Sequence, residues 1–229
     1  MVPTSLGLLL LLLGLSLPVA AALLVLALVL GQLYSVLPIH LALGEVVWSA
    51  SSNFLLVSVP LFVLLGEILL RSGMAGRLYT SMSYWLAWLP GGLMHANIGA
   101  CMMFAATSGS SVATAATIGT VATPVIGKYD YSERLFLGSL AAGGTLGILI
   151  PPSINLIIYG WLTETSVPDL YLAGFVPGIV LGVIFMATIV ICCLVKPEWR
   201  GKAIESSWTE RIASLRDLVP PLMIFLVVI

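Results

Sequence analysis

The first charged side chain in this chain is Glu45, and ahead of it runs an apolar stretch, Leu6 to Leu30, longer than the roughly 20 residues that cross a hydrocarbon core. A soluble fold has nowhere to put such a segment. Composition extends the point to the whole chain: of 229 residues, 60% are hydrophobic and 8% are charged, too few charges to cover a soluble domain. The sequence therefore reads as an all-α integral membrane protein. Pro18 predicts a kink in the first helix, leaving open one kinked span or two shorter helices over 1–32. Ala20 and Ala22 offer the small residues of a signal-peptidase site, but no Lys or Arg precedes the apolar core, so a retained anchor is expected.

The net charge of −1 says nothing about nucleic acid, but no basic run of the kind that tracks phosphates is present, so no nucleic-acid partner is expected. Cys101, Cys192 and Cys193 sit in apolar segments without metal-ligand spacing, so they read as small buried hydrophobes and imply neither metal nor cofactor.

The basic residues set a topology. Arg71 and Arg77 follow the apolar run 54–70, Lys128 and Arg134 flank the next, and Lys196, Arg200, Lys202, Arg211 and Arg216 follow the run 170–195. All are cytoplasmic if 54–70 runs inward, 91–127 enters and leaves on the cytoplasmic side, 135–162 runs outward and 170–195 returns. The connections 31–53 and 163–169 then lie outside, with only Glu45, Glu164 and Asp169 as charges, and with His40. A full span over 91–127 would put Lys128 and Arg134 on the wrong side.

Two segments have the pattern of interfacial helices. In 72–89, Met74, Leu78, Met82, Trp85, Leu86 and Leu89 recur at helical spacing, with Arg77, Thr80 and Ser81 elsewhere on the wheel. In 204–219, Ile204, Trp208, Ile212, Leu215 and Val219 repeat the pattern, and Ser207 with Glu210 forms a candidate capping box. This second helix is expected to lie at the surface and lead into the next span. Trp85, Trp88, Trp161 and Trp199 fall near span ends, as membrane-anchoring aromatics do.

The apolar sequence is broken twice within 91–160. The first break is TSGSSVATAATIG (107–119). Its flanking arms, 93–106 and 113–126, hold about 14 residues each, or ~21 Å of helix, short of the ~30 Å core. A re-entrant hairpin is expected, with Ser108, Gly109, Ser110 and Ser111 turning at mid-membrane depth, where irregular backbone persists only inside protein or beside an aqueous cavity. Gly99, Ala100, Ala105, Ala106, Ala113, Ala115, Ala116 and Gly119 suit close helix packing. The second break is AAGGTLGILIPPSINLIIYG (141–160). Gly143, Gly144 and Gly147 weaken a helix, and Pro151 with Pro152 removes two donors, so half-helices over 135–147 and 153–162 are expected. Carbonyls freed by unwinding suit a sodium ion; a helix N-terminus with Ser153 suits an anionic group.

The residues that carry these features resemble a known family. Pro60-Leu61-Phe62 through Gly66-Glu67, Gly91-Gly92-Leu93 with His95 and Asn97, FAATSGSSVATAATIGTV (104–121) and GTLGILIPPSINLIIYG (144–160) are similar to the large, DctM-like membrane subunit of tripartite ATP-independent periplasmic (TRAP) transporters. The similarity extends over essentially the whole chain. It implies an elevator-type fold of the ion-transporter superfamily and sodium as coupling ion. The implied substrates are small organic acids, such as dicarboxylates, sialic acids and other sugar acids. The implied partners are a small four-helix membrane subunit and a periplasmic substrate-binding protein, in the bacterial inner membrane. Ser108, Gly109, Ser110 and Ser111, with Thr145, Gly147 and Ser153, match the first sodium site and its border; Ser110, Ser153 and Asn155 are the candidate substrate contacts. The resemblance also divides the chain into scaffold helices (1–71), an amphipathic arm (72–90), part of the transport domain (91–162) and a further span with a cytoplasmic helix (163–229).

Two departures stand out. Many relatives carry an acidic residue where this chain has Thr114, so a role for that carboxylate does not transfer. The family's subunit has two inverted repeats, whereas this chain supplies one and stops at Ile229 inside an apolar run, which reads as the N-terminal half with the C-terminal repeat missing. His95 and Asn97 are expected to serve packing, and Glu67 to be a solvated charge. Another anion carrier of the same superfamily, or a channel with the hairpin as filter, remains an alternative. A serine hydrolase using Ser108, Ser110 or Ser111 with His95 is excluded by reach, since a helical arm separates His95 from Ser108 by about 20 Å.

Overall fold

A computed structural model describes residues 2–35, 39–202 and 206–228. Ile204 and the side chain of His40 lie outside the described residues. No strand occurs among the described residues, and the chain divides at Phe54 into two compact units.

The first unit holds α1 (Val2–Gly14), α2 (Val19–Tyr34) and α3 (Ile39–Ser51). Residues 1–32 do not form one kinked helix. Ser16 takes a left-handed φ of 58° and Pro18, which has no N–H to continue a helix, stands as the N-cap of α2. The chain therefore doubles back, and the Thr4 and Tyr34 hydroxyls meet at 2.9 Å. Much of 31–53, read above as a connection, is helical.

The second unit holds α4 (Phe54–Arg71), which begins at the division, α5 (Met74–Leu86), α6 (Leu93–Ser108), α7 (Ser111–Ala122), α8 (Glu133–Leu149), α9 (Ile154–Thr163), α10 (Val167–Val195) and α11 (Trp208–Val228). Among the described residues, three helical segments are long and apolar enough to cross a membrane: Phe54–Arg71, Glu133–Thr163 and Val167–Val195. This is a membrane protein.

At the centre of the unit is α6. Its 16 residues are almost all buried, Met102 and Met103 excepted, and a helix apolar all round belongs in an interior. Phe104, Ile98, Met94 and Leu93 of α6 join Leu78, Ile118, Phe136 and Leu146 from its neighbours in the core. With 16 and 12 residues, α6 and α7 extend ~24 and ~18 Å. α10, with 29 residues, extends ~44 Å and exposes Leu172, Val176, Val180, Val183, Ile184 and Ile191, a broad apolar surface.

The amphipathic segment after α4 packs as α5 between α6 and α11. Ser81 is fully buried: its hydroxyl reaches the Arg77 carbonyl and the Ser214 carbonyl of α11, each at 3.0 Å. A small hydroxyl satisfied by backbone can enter a helix contact that a charged group cannot. Arg77 also approaches Asp217 at 3.9 Å. The capping box at the start of α11 forms: Glu210 accepts from the Ser207 amide at 2.8 Å, and Ser207 Oγ accepts from the Glu210 amide at 3.2 Å.

One end of the unit is tied together by Tyr131. Its hydroxyl accepts from the Leu93 amide at 3.1 Å and donates to the Lys202 carbonyl at 3.4 Å. The Lys202 amide donates to the Tyr129 carbonyl at 2.8 Å, and Lys202 Nζ pairs with Asp130 at 2.5 Å. The turns before α6, before α8 and after α10 therefore share one end. Thr165, before α10, lies at the other.

Candidate functional site

Two chain breaks meet in this unit. The α6–α7 turn consists of Gly109, with φ 63°, and Ser110, extended at φ −131° and acting as N-cap of α7. The α8–α9 break is limited to Ile150–Ser153. Between them, the Gly109 carbonyl accepts from the Ile154 amide at 3.1 Å, and a Cβ on Gly109 would lie 2.9 Å from the Pro152 carbonyl oxygen. The tip is thus seated on the first amide of α9, which is not free for an anion. A positive φ and a carbonyl in contact leave room only for glycine.

Gly143, Gly144 and Gly147 do not unwind α8, which runs on to Leu149. Their function is close approach: a Cβ on Gly143 would lie 3.0 Å from Cys101 Sγ, on Gly144 2.6 Å from Ala115 Cβ, and on Gly147 2.8 Å from the Ser111 amide nitrogen. The expectation of half-helices ending at Gly147 is corrected accordingly. The break falls at Pro151-Pro152, where two donors are missing, not at the glycines.

Six of the seven residues assigned to an ion site come together: Ser108, Gly109, Ser110, Ser111, Gly147 and Ser153. Ser108 is buried, its Oγ 3.1 Å from Thr114 Oγ1, and Thr114 in turn donates to the Ser110 carbonyl at 2.7 Å. Ser110 Oγ accepts from the Ala113 amide at 3.3 Å. Ser153 is fully buried and donates to the Ile148 carbonyl at 2.7 Å, which satisfies an orphan carbonyl at the end of α8. Thr145 is not part of this group. It is exposed and donates to Ala142 of its own helix at 2.7 Å, because continuing the helix past Gly144 rotates position 145 away from the hairpin. Asn155, one residue into α9, is exposed.

A cavity of about 190 Å³ opens on the α4 side of the tip, lined by Gly66, Glu67, Ser108, Ser110, Ala113 and Thr117 among others. Glu67 is half-exposed and pairs with Arg71 at 2.6 Å. Among the described residues no cluster of His, Cys, Asp and Glu could hold a metal ion through side chains alone. The hard oxygens at hand are hydroxyls, carbonyls and one paired carboxylate, a donor set suited to a weakly held alkali cation.

Sequence reasoning did not find Thr114 as a node of this tip. Its sequence signals were its place three positions after Ser111 and its departure from the acidic residue of the resembled family, and neither names its partners. His95 and Asn97 serve packing: His95 is fully buried with Nε2 2.9 Å from the Pro90 carbonyl oxygen. Asn97 accepts from the Tyr79 hydroxyl at 3.0 Å and donates to Ser139 at 2.8 Å, which ties α5, α6 and α8 together. The helical arm keeps His95 away from Ser108, so these two do not form a nucleophile–base pair.

The family model of the tripartite ATP-independent periplasmic transporter, DctM component, matches residues 6–229. The chain is 39% identical over 171 residues, 70% of its length and 40% of the relative's, to the C4-dicarboxylate TRAP transporter large permease protein DctM of Pseudomonas aeruginosa. It is 34% identical over 169 residues to the ectoine TRAP transporter large permease protein TeaC of Halomonas elongata, covering 73% of this chain and 39% of that one. It is also 34% identical over 149 residues to the sialic acid TRAP transporter permease protein SiaT of Haemophilus influenzae, covering 65% and 24%. The chain thus spans 40% or less of the length of these relatives. They are transport permeases, not enzymes. With a family match over nearly its entire length, this chain belongs to the DctM component family of tripartite ATP-independent periplasmic transporters.

Proposed function

We propose that this chain is the N-terminal part of a permease that takes up small organic acids by sodium-coupled secondary transport. The hydrogen bond from the Ile154 amide to the Gly109 carbonyl carries the reading. It joins a helical hairpin too short to span a bilayer to a helix broken at two prolines, and such paired irregularities collect at the ion and substrate sites of inverted-repeat transporters. Sodium is the coupling ion, held at the tip by the Ser108 hydroxyl and backbone oxygens, with Gly147 as the wall that allows the tip to seat. The carboxylate of the substrate approaches Ser110 and the start of α9 near Asn155. Dicarboxylates, ectoine and sialic acid, named for the relatives, mark the range of substrates.

Residues 1–71 act as scaffold, 72–90 as arm and 91–162 as part of a moving domain in an elevator cycle, and 163–229 supply a further span. α6 and α7 are the re-entrant arms. The shared end of the turns before α6, before α8 and after α10 supports one cytoplasmic face for Lys128, Lys196, Arg200 and Lys202, and with it a multi-pass course in the bacterial inner membrane. The small four-helix subunit, a periplasmic substrate-binding protein and the C-terminal repeat complete the machine. Proteoliposomes test this. The intact permease with its small subunit and binding protein is expected to accumulate an organic acid under an inward sodium gradient, and the chain of residues 1–229 alone to accumulate none, since one repeat provides half a cavity. Uptake equally fast under a potassium gradient would refute sodium coupling.

A further inference from the structure

A hydroxyl that binds a cation must turn its lone pairs to the ion and place its proton elsewhere. At the hairpin tip, the partners settle which way each hydroxyl points. Thr114, fully buried, has one hydroxyl proton and two oxygen neighbours: the Ser110 carbonyl at 2.7 Å and Ser108 Oγ at 3.1 Å. The carbonyl can only accept and is the closer, so it takes the Thr114 proton. The 3.1 Å contact then requires Ser108 to donate to Thr114. With its proton committed inward, Ser108 has its free lone pair left for the cavity that it lines beside Ser110 and Glu67. Ser110 has the opposite polarity. Its oxygen accepts from the Ala113 amide, which leaves its proton to be given away.

We infer that Thr114 is a positioning residue: it holds the Ser108 oxygen toward the cavity between α4 and the hairpin tip, oriented to receive a small monovalent cation. Glu67 on the opposite wall adds a favourable potential, and its pairing with Arg71 prevents a full charge from gripping the ion too tightly to release. The role needs an oxygen at 114 that accepts the Ser108 proton; in this chain the Thr114 hydroxyl supplies it, because its own proton goes to the Ser110 carbonyl. This inference rests on the sodium-coupled reading above and adds the residue that orients its ligand.

The test uses the intact transporter in proteoliposomes, with uptake measured against sodium concentration. Thr114→Val, nearly isosteric, is expected to raise the sodium concentration for half-maximal uptake about five- to tenfold, the weight of one hydrogen bond, with uptake at saturating sodium little changed. Thr114→Ser, which restores the proton, is expected to return the value to within about twofold of the parent. Ser108→Ala is expected to raise it by a similar factor, and the double variant no further, because both changes act through the same Ser108 oxygen. Circular dichroism and thermal unfolding of Thr114→Val monitor folding, and the serine rescue separates orientation from packing. A shift in Ser108→Ala with none in Thr114→Val would overturn the role of Thr114 and leave the tip site standing. No shift in either would overturn the tip site itself.

Discussion

The carbonyl of Gly109 and the amide of Ile154 lie 3.1 Å apart in a hydrogen bond, and this contact connects the two places where the helical backbone fails. A carbonyl left over at the end of α6 meets an amide left over at the start of α9, so each break satisfies the other without water. A Cβ on Gly109 would lie 2.9 Å from the Pro152 carbonyl oxygen, so only glycine lets the tip sit this close to the broken helix.

The buried polar tie at Asn97 predicts a stability effect. Asn97→Leu removes the acceptor of the Tyr79 hydroxyl and is expected to destabilise the folded permease by about 1–3 kcal/mol in detergent unfolding. Adding Tyr79→Phe, which removes the stranded donor, is expected to recover part of that loss. Additive losses would show that the contact contributes nothing.

The capping box gives a pH signature. Hydrogen bonds from the Ser207 amide and hydroxyl hold the Glu210 carboxyl below its ordinary value of 4.5. A folded pKa that is depressed contributes stability above the unfolded value and loses it as pH falls through the folded one. Amide exchange at the start of α11 is therefore expected to speed up as pH is lowered below about 4.5, after correction for intrinsic rates, and Glu210→Gln to flatten that profile. An unchanged profile in the variant would remove the effect from Glu210.

Labelling tests the membrane course. In a cysteine-depleted permease, single cysteines at 128 and 202 are expected to react with an impermeant reagent only from the cytoplasmic side, and one at 165 only from outside. Reaction of 128 from outside would turn the hairpin into a full span.

How far the sequence showed this arrangement depended on the kind of signal. Ser108 to Ser111 marked a turn because hydroxyls and glycine interrupt an apolar run, and the two arms were short by count. Pro151-Pro152 marked a break because proline removes donors whatever surrounds it. Gly143, Gly144 and Gly147 were misread as helix weakeners because glycine has two uses, and only the presence of α6 and α7 shows that these three serve contact. Thr145 came with the family resemblance, and the continuing helix places it exposed, donating to the Ala142 carbonyl. Ser81 and Thr114 are small hydroxyls whose partners, Ser214 and Ser108, are set by tertiary structure, and no local pattern announces them. Pro18 forecast a bend, but the reversal into a hairpin came from Ser16 and the meeting of Thr4 with Tyr34.

Gly147 allows the most direct test of the account, because a single methyl group there would sit 2.8 Å from the Ser111 amide and unseat the tip, whereas a methyl on Gly138 of the same helix meets nothing within 4 Å. The measurement is sodium-dependent uptake by the intact transporter carrying Gly147→Ala, with Gly138→Ala as control. The account predicts that Gly147→Ala loses most sodium-dependent uptake or needs at least about tenfold more sodium, and that Gly138→Ala keeps both rate and sodium requirement. A Gly147→Ala transporter with the parent's sodium dependence would contradict the assignment of the ion site to the meeting of the hairpin tip with the broken helix.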